Sequence, residues 1–111
     1  MDAGSFVYDA ENVRWATDLG SENYTTLEVN IGNGPTWDMT QNSLRWDVFK
    51  LNNRQHNTLT INDSKHLVDG FAPIVSVIDT ETEQGGTLDL SPVFADEAAS
   101  VVRTGKIVNN D

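Results

Sequence analysis

Seven residues near the start of the chain limit its fold more than any other stretch. Val13-Arg14-Trp15-Ala16-Thr17-Asp18-Leu19 alternates with the two-residue period of a strand, in which successive side chains point to opposite faces. Val13, Trp15, Thr17 and Leu19 share one face, and Arg14, Ala16 and Asp18 the other. Gly20 can take a positive φ and ends the run. The same reading applied along the chain predicts a strand at residues 5–8, a turn at 9–12 and a strand starting at 44. There Leu44, Trp46 and Val48 point inward until the pattern slips at Phe49 and Leu51. Residues 21–40, punctuated by Gly32, Gly34, Pro35 and several Asn, read as a long loop with one short strand at 24–29.

The second half follows suit. Residues 67–72 pair briefly. Ile74-Val75-Ser76-Val77-Ile78 is β-branched and apolar enough for a central strand. Gly85-Gly86 signals a tight hairpin before Thr87-Leu88-Asp89-Leu90. Residues 95–100 allow one helical turn, and 100–103 and 106–108 form a strand pair around Thr104-Gly105. Short strands separated by Gly, Asn and Pro predict an all-β fold, an antiparallel β-sandwich spanning residues 1–111 as one domain. Strands that begin at residue 5 and run to the last residues predict a sandwich truncated at both ends, a fragment of a larger protein. Its unpaired edges would invite pairing with a second copy as a homodimer.

Composition excludes several classes. Seventeen acidic residues against seven basic give a net charge of −10, which repels phosphate backbones and argues against nucleic acid. The absence of cysteine excludes disulfides and thiolate zinc sites. No apolar run is long enough to span a membrane, and the start lacks the basic and apolar regions of a signal peptide. A 38% hydrophobic content with three Trp, four Phe and two Tyr can build a core. Trp15 and Trp46 alternate with apolar neighbours and are expected inside it. Trp37, in a Pro-Thr-Trp-Asp loop, is the tryptophan expected at the surface, where it could stack on a sugar ring.

Candidate chemistry centres on Asn52-Asn53-Arg54-Gln55-His56-Asn57-Thr58-Leu59-Thr60-Ile61, an amide-rich turn feeding an alternating segment. Leu59 and Ile61 fall on one face; His56, Thr58 and Thr60 fall on the other. If this strand neighbours the one carrying Asp18, an imidazole and a carboxylate meet at a sheet edge as two potential metal ligands, where zinc takes about four. His66 follows Lys65 in a polar turn and is expected at the surface. No nucleophile elbow, phosphate-cradling loop or metalloprotease helix occurs, and no catalytic residue is assigned.

Asp2-Ala3-Gly4-Ser5-Phe6-Val7, then residues 13–20, then 43–49, then His56-Asn57-Thr58-Leu59 together resemble the C-terminal β region of heparinase II/III-like proteins, polysaccharide lyases common in gut and soil Bacteroidetes. The resemblance covers roughly the first 75 residues. It implies a parent with a helical toroid followed by a β-sandwich, a periplasmic or extracellular location, and β-elimination on acidic, uronate-containing glycans. Some members hold a structural zinc with two histidines and an aspartate; Asp18 matches the aspartate and His56 the second histidine. The first histidine precedes the Asp-Ala-Gly-Ser-Phe run and is not in this sequence. The helical domain with its catalytic Tyr and His is not in it either, and Tyr8 and Tyr24 do not match them. The implied role is a non-catalytic support domain; the alternative from the residues alone is a carbohydrate-binding sandwich.

Overall fold

The computed structural model describes residues 1–109. The architecture is mixed, with 24% helix, 25% strand and two small antiparallel sheets. The expected all-β sandwich is therefore incorrect. A two-stranded hairpin, β1 (Tyr8–Ala10) and β2 (Val13–Ala16), leads into helices α1 (Tyr24–Ile31) and α2 (Asn33–Trp37). Three 3₁₀ helices follow at Leu44–Asp47, Phe49–Leu51 and Asn53–Gln55. The chain closes with β3 (Ile74–Asp79), β4 (Glu83–Asp89), a 3₁₀ turn at Ser91–Val93 and β5 (Val102–Val108). These last strands form one sheet in the order β3-β4-β5.

Each departure from strict alternation has a local cause. The stretch read as loop and strand is helical because Asn23 caps it. The Asn23 side chain accepts from Thr26 N at 3.0 Å, and Gly32, at φ 87°, stops α1 in a conformation that strains other residues. Leu27 is the helix's buried contact. Residues 44–51 turn with a period of three rather than two. Ser43 caps the first 3₁₀ turn by accepting from Arg45 N, Trp46 and Leu51 go inside, and Leu44 and Phe49 stay exposed. The Arg45 guanidinium is buried with them, donating to the Thr36 carbonyl and to the Tyr24 hydroxyl at 3.1 Å while lying over both the Tyr24 and Trp46 rings.

Gly85-Gly86 is strand interior, not a turn; the hairpin between β3 and β4 bends at residues 80–82. Thr104-Gly105 likewise lies within β5, in register with Gly86 and Thr87. A Cβ on Gly85 would stand 2.1 Å from the Gly105 carbonyl oxygen, so glycine lets the two strands cross closely.

The core is divided. Leu27, Trp46 and Leu51 form one cluster; Leu90, Val93, Phe94 and Val101 form the other. His66 is 1% exposed, with its ring edge-on to Phe94 at 4.7 Å, so its expected surface position is incorrect. Trp15 is 66% exposed, contrary to its expected place in the core, because among the described residues β2 pairs only with β1 and its indole faces the open groove. Among the described residues no helix is long and apolar enough to cross a membrane.

Candidate functional site

Asp18 and His56, 38 positions apart, meet: His56 Nδ1 lies 2.8 Å from Asp18 Oδ1. Three segments build the meeting point. The first is the turn ahead of β1, closed by Ser5 N donating to the Asp2 carbonyl and by Gly4 at φ 76°. The second is the exit from β2, where Asp18 Oδ1 accepts from Gly20 N at 2.8 Å, an Asx turn made possible by Gly20 at φ 64°. The third is the 3₁₀ turn Asn53–Gln55, after which His56 is extended and points its ring back at Asp18.

The amides before His56 are structural. Asn52 accepts from Arg54 N and donates to the carbonyls of Trp46 and Val48. Asn53, 1% exposed, donates to Thr60 Oγ1 and the Ser64 carbonyl and accepts from His66 N. A buried asparagine that satisfies three separated backbone or hydroxyl groups fixes the path of the loop, and thereby the place of His56. The alternating strand expected at residues 58–61 does not form, so His56 is held by this network rather than by a sheet.

Asp18 is saturated with donors. Ser5 Oγ reaches Oδ2 at 2.7 Å and Asn57 N reaches it at 3.0 Å, while Gly20 N and His56 Nδ1 fill Oδ1. These bonds, the Ser5 hydroxyl foremost and then the Asn57 and Gly20 amides and His56, hold its carboxyl far below the usual range against the opposing effect of burial. His56 has an acceptor at each nitrogen, Asp18 at Nδ1 and the Lys50 carbonyl at Nε2, 3.1 Å away. With a proton on each nitrogen both bonds form; the neutral ring makes only one. The two side chains are 5% and 15% exposed.

Arg103, from β5, locks the arrangement. Its Nη1 donates to the carbonyls of Gly4 at 3.0 Å and Asn57 at 2.7 Å, and its guanidinium stacks over Phe6 at 4.9 Å. Asn57 adds a bond from Nδ2 to the Phe6 carbonyl at 3.0 Å. Sequence reasoning found Asp18 and His56 but missed Ser5, Asn57 and Arg103. Ser5 and Asn57 lie within the runs that carry the family resemblance, which was the available signal; Arg103 had none.

As it stands the pair is closed. Both ring nitrogens and both carboxylate oxygens have partners, so a metal ion enters only where an existing bond opens. Among the described residues no third His, Cys, Asp or Glu joins them in a group that could hold a metal ion. The donors present do not complete a zinc site.

A groove of about 900 Å³ opens beside this cluster, between the β1–β2 hairpin and the three-stranded sheet. Phe6, Tyr8 and Trp15 wall one side, and the Gly86–Gly105 pair keeps the floor flat. Arg103 and Lys106 line it, Lys106 with its Nζ paired to Glu83 Oε1 at 2.7 Å. Trp37, the tryptophan expected to meet sugars, is half exposed. Its ring stacks on Tyr24 at 5.1 Å and its Nε1 donates to Glu28 at 2.7 Å.

No protein-family model and no curated protein matches the chain.

Proposed function

We propose that this chain is a non-catalytic support segment of a heparinase II/III-like polysaccharide lyase that cleaves uronate-containing glycans by β-elimination outside the cytoplasm. The observation that supports the reading is the contact between Asp18 and His56. The two residues lie in the separate runs that carry the resemblance, and a contact across 38 positions is not a consequence of local sequence. In this reading a zinc ion of the whole protein would draw on Asp18 and His56 together with a donor from outside these residues, and their mutual bond would open to admit it.

The test is the complete product of the gene that contains these residues, incubated with heparin-, chondroitin- and alginate-type polysaccharides. Elimination is read as the ultraviolet absorbance of the unsaturated uronate. The expected result is absorbance growth with the complete product and none with residues 1–111 alone. Failure of the complete product to cleave any uronate glycan contradicts the reading.

A second reading, direct carbohydrate binding, draws on the groove. An exposed indole beside Phe6, with the remaining nitrogens of the Arg103 guanidinium at one end, suits a sugar ring bearing a carboxylate. Here Trp15 carries the contact in place of Trp37. Titration with a uronate oligosaccharide should show saturable binding that Trp15→Ala abolishes and Trp37→Ala leaves intact. Equal affinity for a neutral oligosaccharide contradicts it.

A further inference from the structure

We propose that the Nε–Nη2 edge of the Arg103 guanidinium reads the ligand's carboxylate in the groove and makes the site prefer a uronate to a neutral sugar; the inference rests on the second reading above. That edge of a guanidinium matches the two oxygens of a carboxylate. The chain shows the grip elsewhere: Arg14 Nε and Nη2 donate to Asp9 Oδ1 at 2.7 Å and Oδ2 at 2.8 Å. The sequence has four arginines, Arg14, Arg45, Arg54 and Arg103, and the first three have this edge occupied or sealed. Arg54 turns Nε to Asp63 Oδ1 at 2.9 Å and Nη2 to the Asp63 carbonyl. Arg45 donates from Nη2 to the Tyr24 hydroxyl, and its Nε is buried. Arg103 differs. Its Nη1 takes the Gly4 and Asn57 carbonyls, and among the described residues Nε and Nη2 make no bond, yet neither is shut off from solvent as Arg45 Nε is. In a chain with seventeen acids and seven bases, a guanidinium edge left without a carboxylate is an exception.

The edge is also held in place. Arg103 stands in β5 opposite Leu88 of β4, so the sheet carries it. The two carbonyl bonds and the stack over Phe6 at 4.9 Å fix the guanidinium plane. A side chain already fixed loses little rotamer freedom when a ligand arrives. Tyr8 and Trp15 line the same groove as Phe6 and Arg103. A sugar ring with a carboxylate on its rim offers one apolar face to the aromatic rings and one planar anion to the guanidinium. Lys106 is not part of the reader, because its Nζ is bonded to Glu83.

The test is a nuclear magnetic resonance titration of the isotope-labelled chain with a short oligogalacturonate and with its fully methyl-esterified form. With the acid, the Arg103 Nε–H resonance should move and exchange more slowly with water, while those of Arg14, Arg45 and Arg54 stay in place and the Trp15 indole responds. Arg103→Lys keeps the charge and loses the fork. It should weaken binding of the acid by at least about tenfold, the loss of a charge-assisted hydrogen bond, and leave binding of the ester within about twofold. The titration of the parent chain needs no variant, so it decides even where Arg103→Lys fails to fold. A Trp15 response with Arg103 silent, or an acid preference that disappears in Lys106→Gln and survives in Arg103→Lys, overturns the assignment and leaves the second reading standing. Silence at both Trp15 and Arg103 overturns the two together. Octanoate that moves both resonances at the same concentrations as the oligogalacturonate shows an occupant that is not a sugar, and overturns the proposal.

Discussion

At the scale of single residues, the chain places its ionisable side chains so that acid attacks it in two stages. His66 is buried, and burial lowers its pKa from the ordinary 6.5; among the described residues its Nδ1 has no hydrogen-bond partner, while Nε2 meets the Leu59 carbonyl at 3.0 Å. A base whose pKa is lower in the folded state binds more protons when unfolded, so stability falls as pH drops through about 6.5. Urea unfolding between pH 7 and pH 5 should show this loss, and His66→Gln should flatten the slope. An unchanged slope removes the role assigned to His66. Asp18 acts lower on the scale. Its carboxyl is held far below the ordinary 3.8, so its contribution is complete above that value and is lost as pH falls below it. Asp18→Asn, which keeps the shape and removes the charged acceptor of four donors, should cost about 2–4 kcal/mol at neutral pH. That cost should shrink in unfolding measurements below about pH 4.

Among the elements, the β1–β2 hairpin is the one that sequence chemistry leaves unoptimised. Its two turn residues, Glu11 and Asn12, sit at φ 52° and 63°, the left-handed pair of a two-residue turn. Glutamate tolerates that region poorly. Glu11→Asn with Asn12→Gly should therefore raise stability by roughly 0.5–1 kcal/mol in urea unfolding, and destabilisation would show that Glu11 makes an interaction the backbone argument omits. The same hairpin shows what sequence can convey. The strand at Ile74 and the meeting of Asp18 with His56 were legible, and the turn expected at 9–12 was placed two residues too early, since Asp9 and Ala10 belong to β1 and only Glu11 and Asn12 turn. The helices were not, since Thr25, Thr26, Val29 and Ile31 favour strands intrinsically and only the Asn23 cap and Leu27's burial tip the balance. Leu44, Trp46 and Val48 alternate as a strand would, but the 3₁₀ turn buries Arg45 beside Trp46 and leaves Leu44 exposed, an inversion that residue types alone do not announce. Gly85-Gly86 carries the chemistry of a turn, and only the close approach of β5 shows why the pair stands inside a strand. The site itself was half legible: its two named residues were found, but the Arg103 brace joins positions 46 and 99 apart without any pattern to announce it.

Across the whole molecule, the chain is spread out. Its radius of gyration is 16.2 Å, against about 13 Å for a compact domain of this length, and its extents are 51 × 37 × 20 Å. Two small apolar clusters replace a single core, so polar links between segments bear an unusual share of the order. The chief link is the cluster around Asp18, which joins the turn before β1, the exit from β2 and the His56 segment to β5. The claim on which the account depends is that Asp18 and His56 are energetically joined. A double-mutant cycle with Asp18→Asn, His56→Gln and the pair, followed by urea unfolding at neutral pH, measures it directly. The account predicts a coupling of about 1–3 kcal/mol, and additivity within about 0.5 kcal/mol would contradict it.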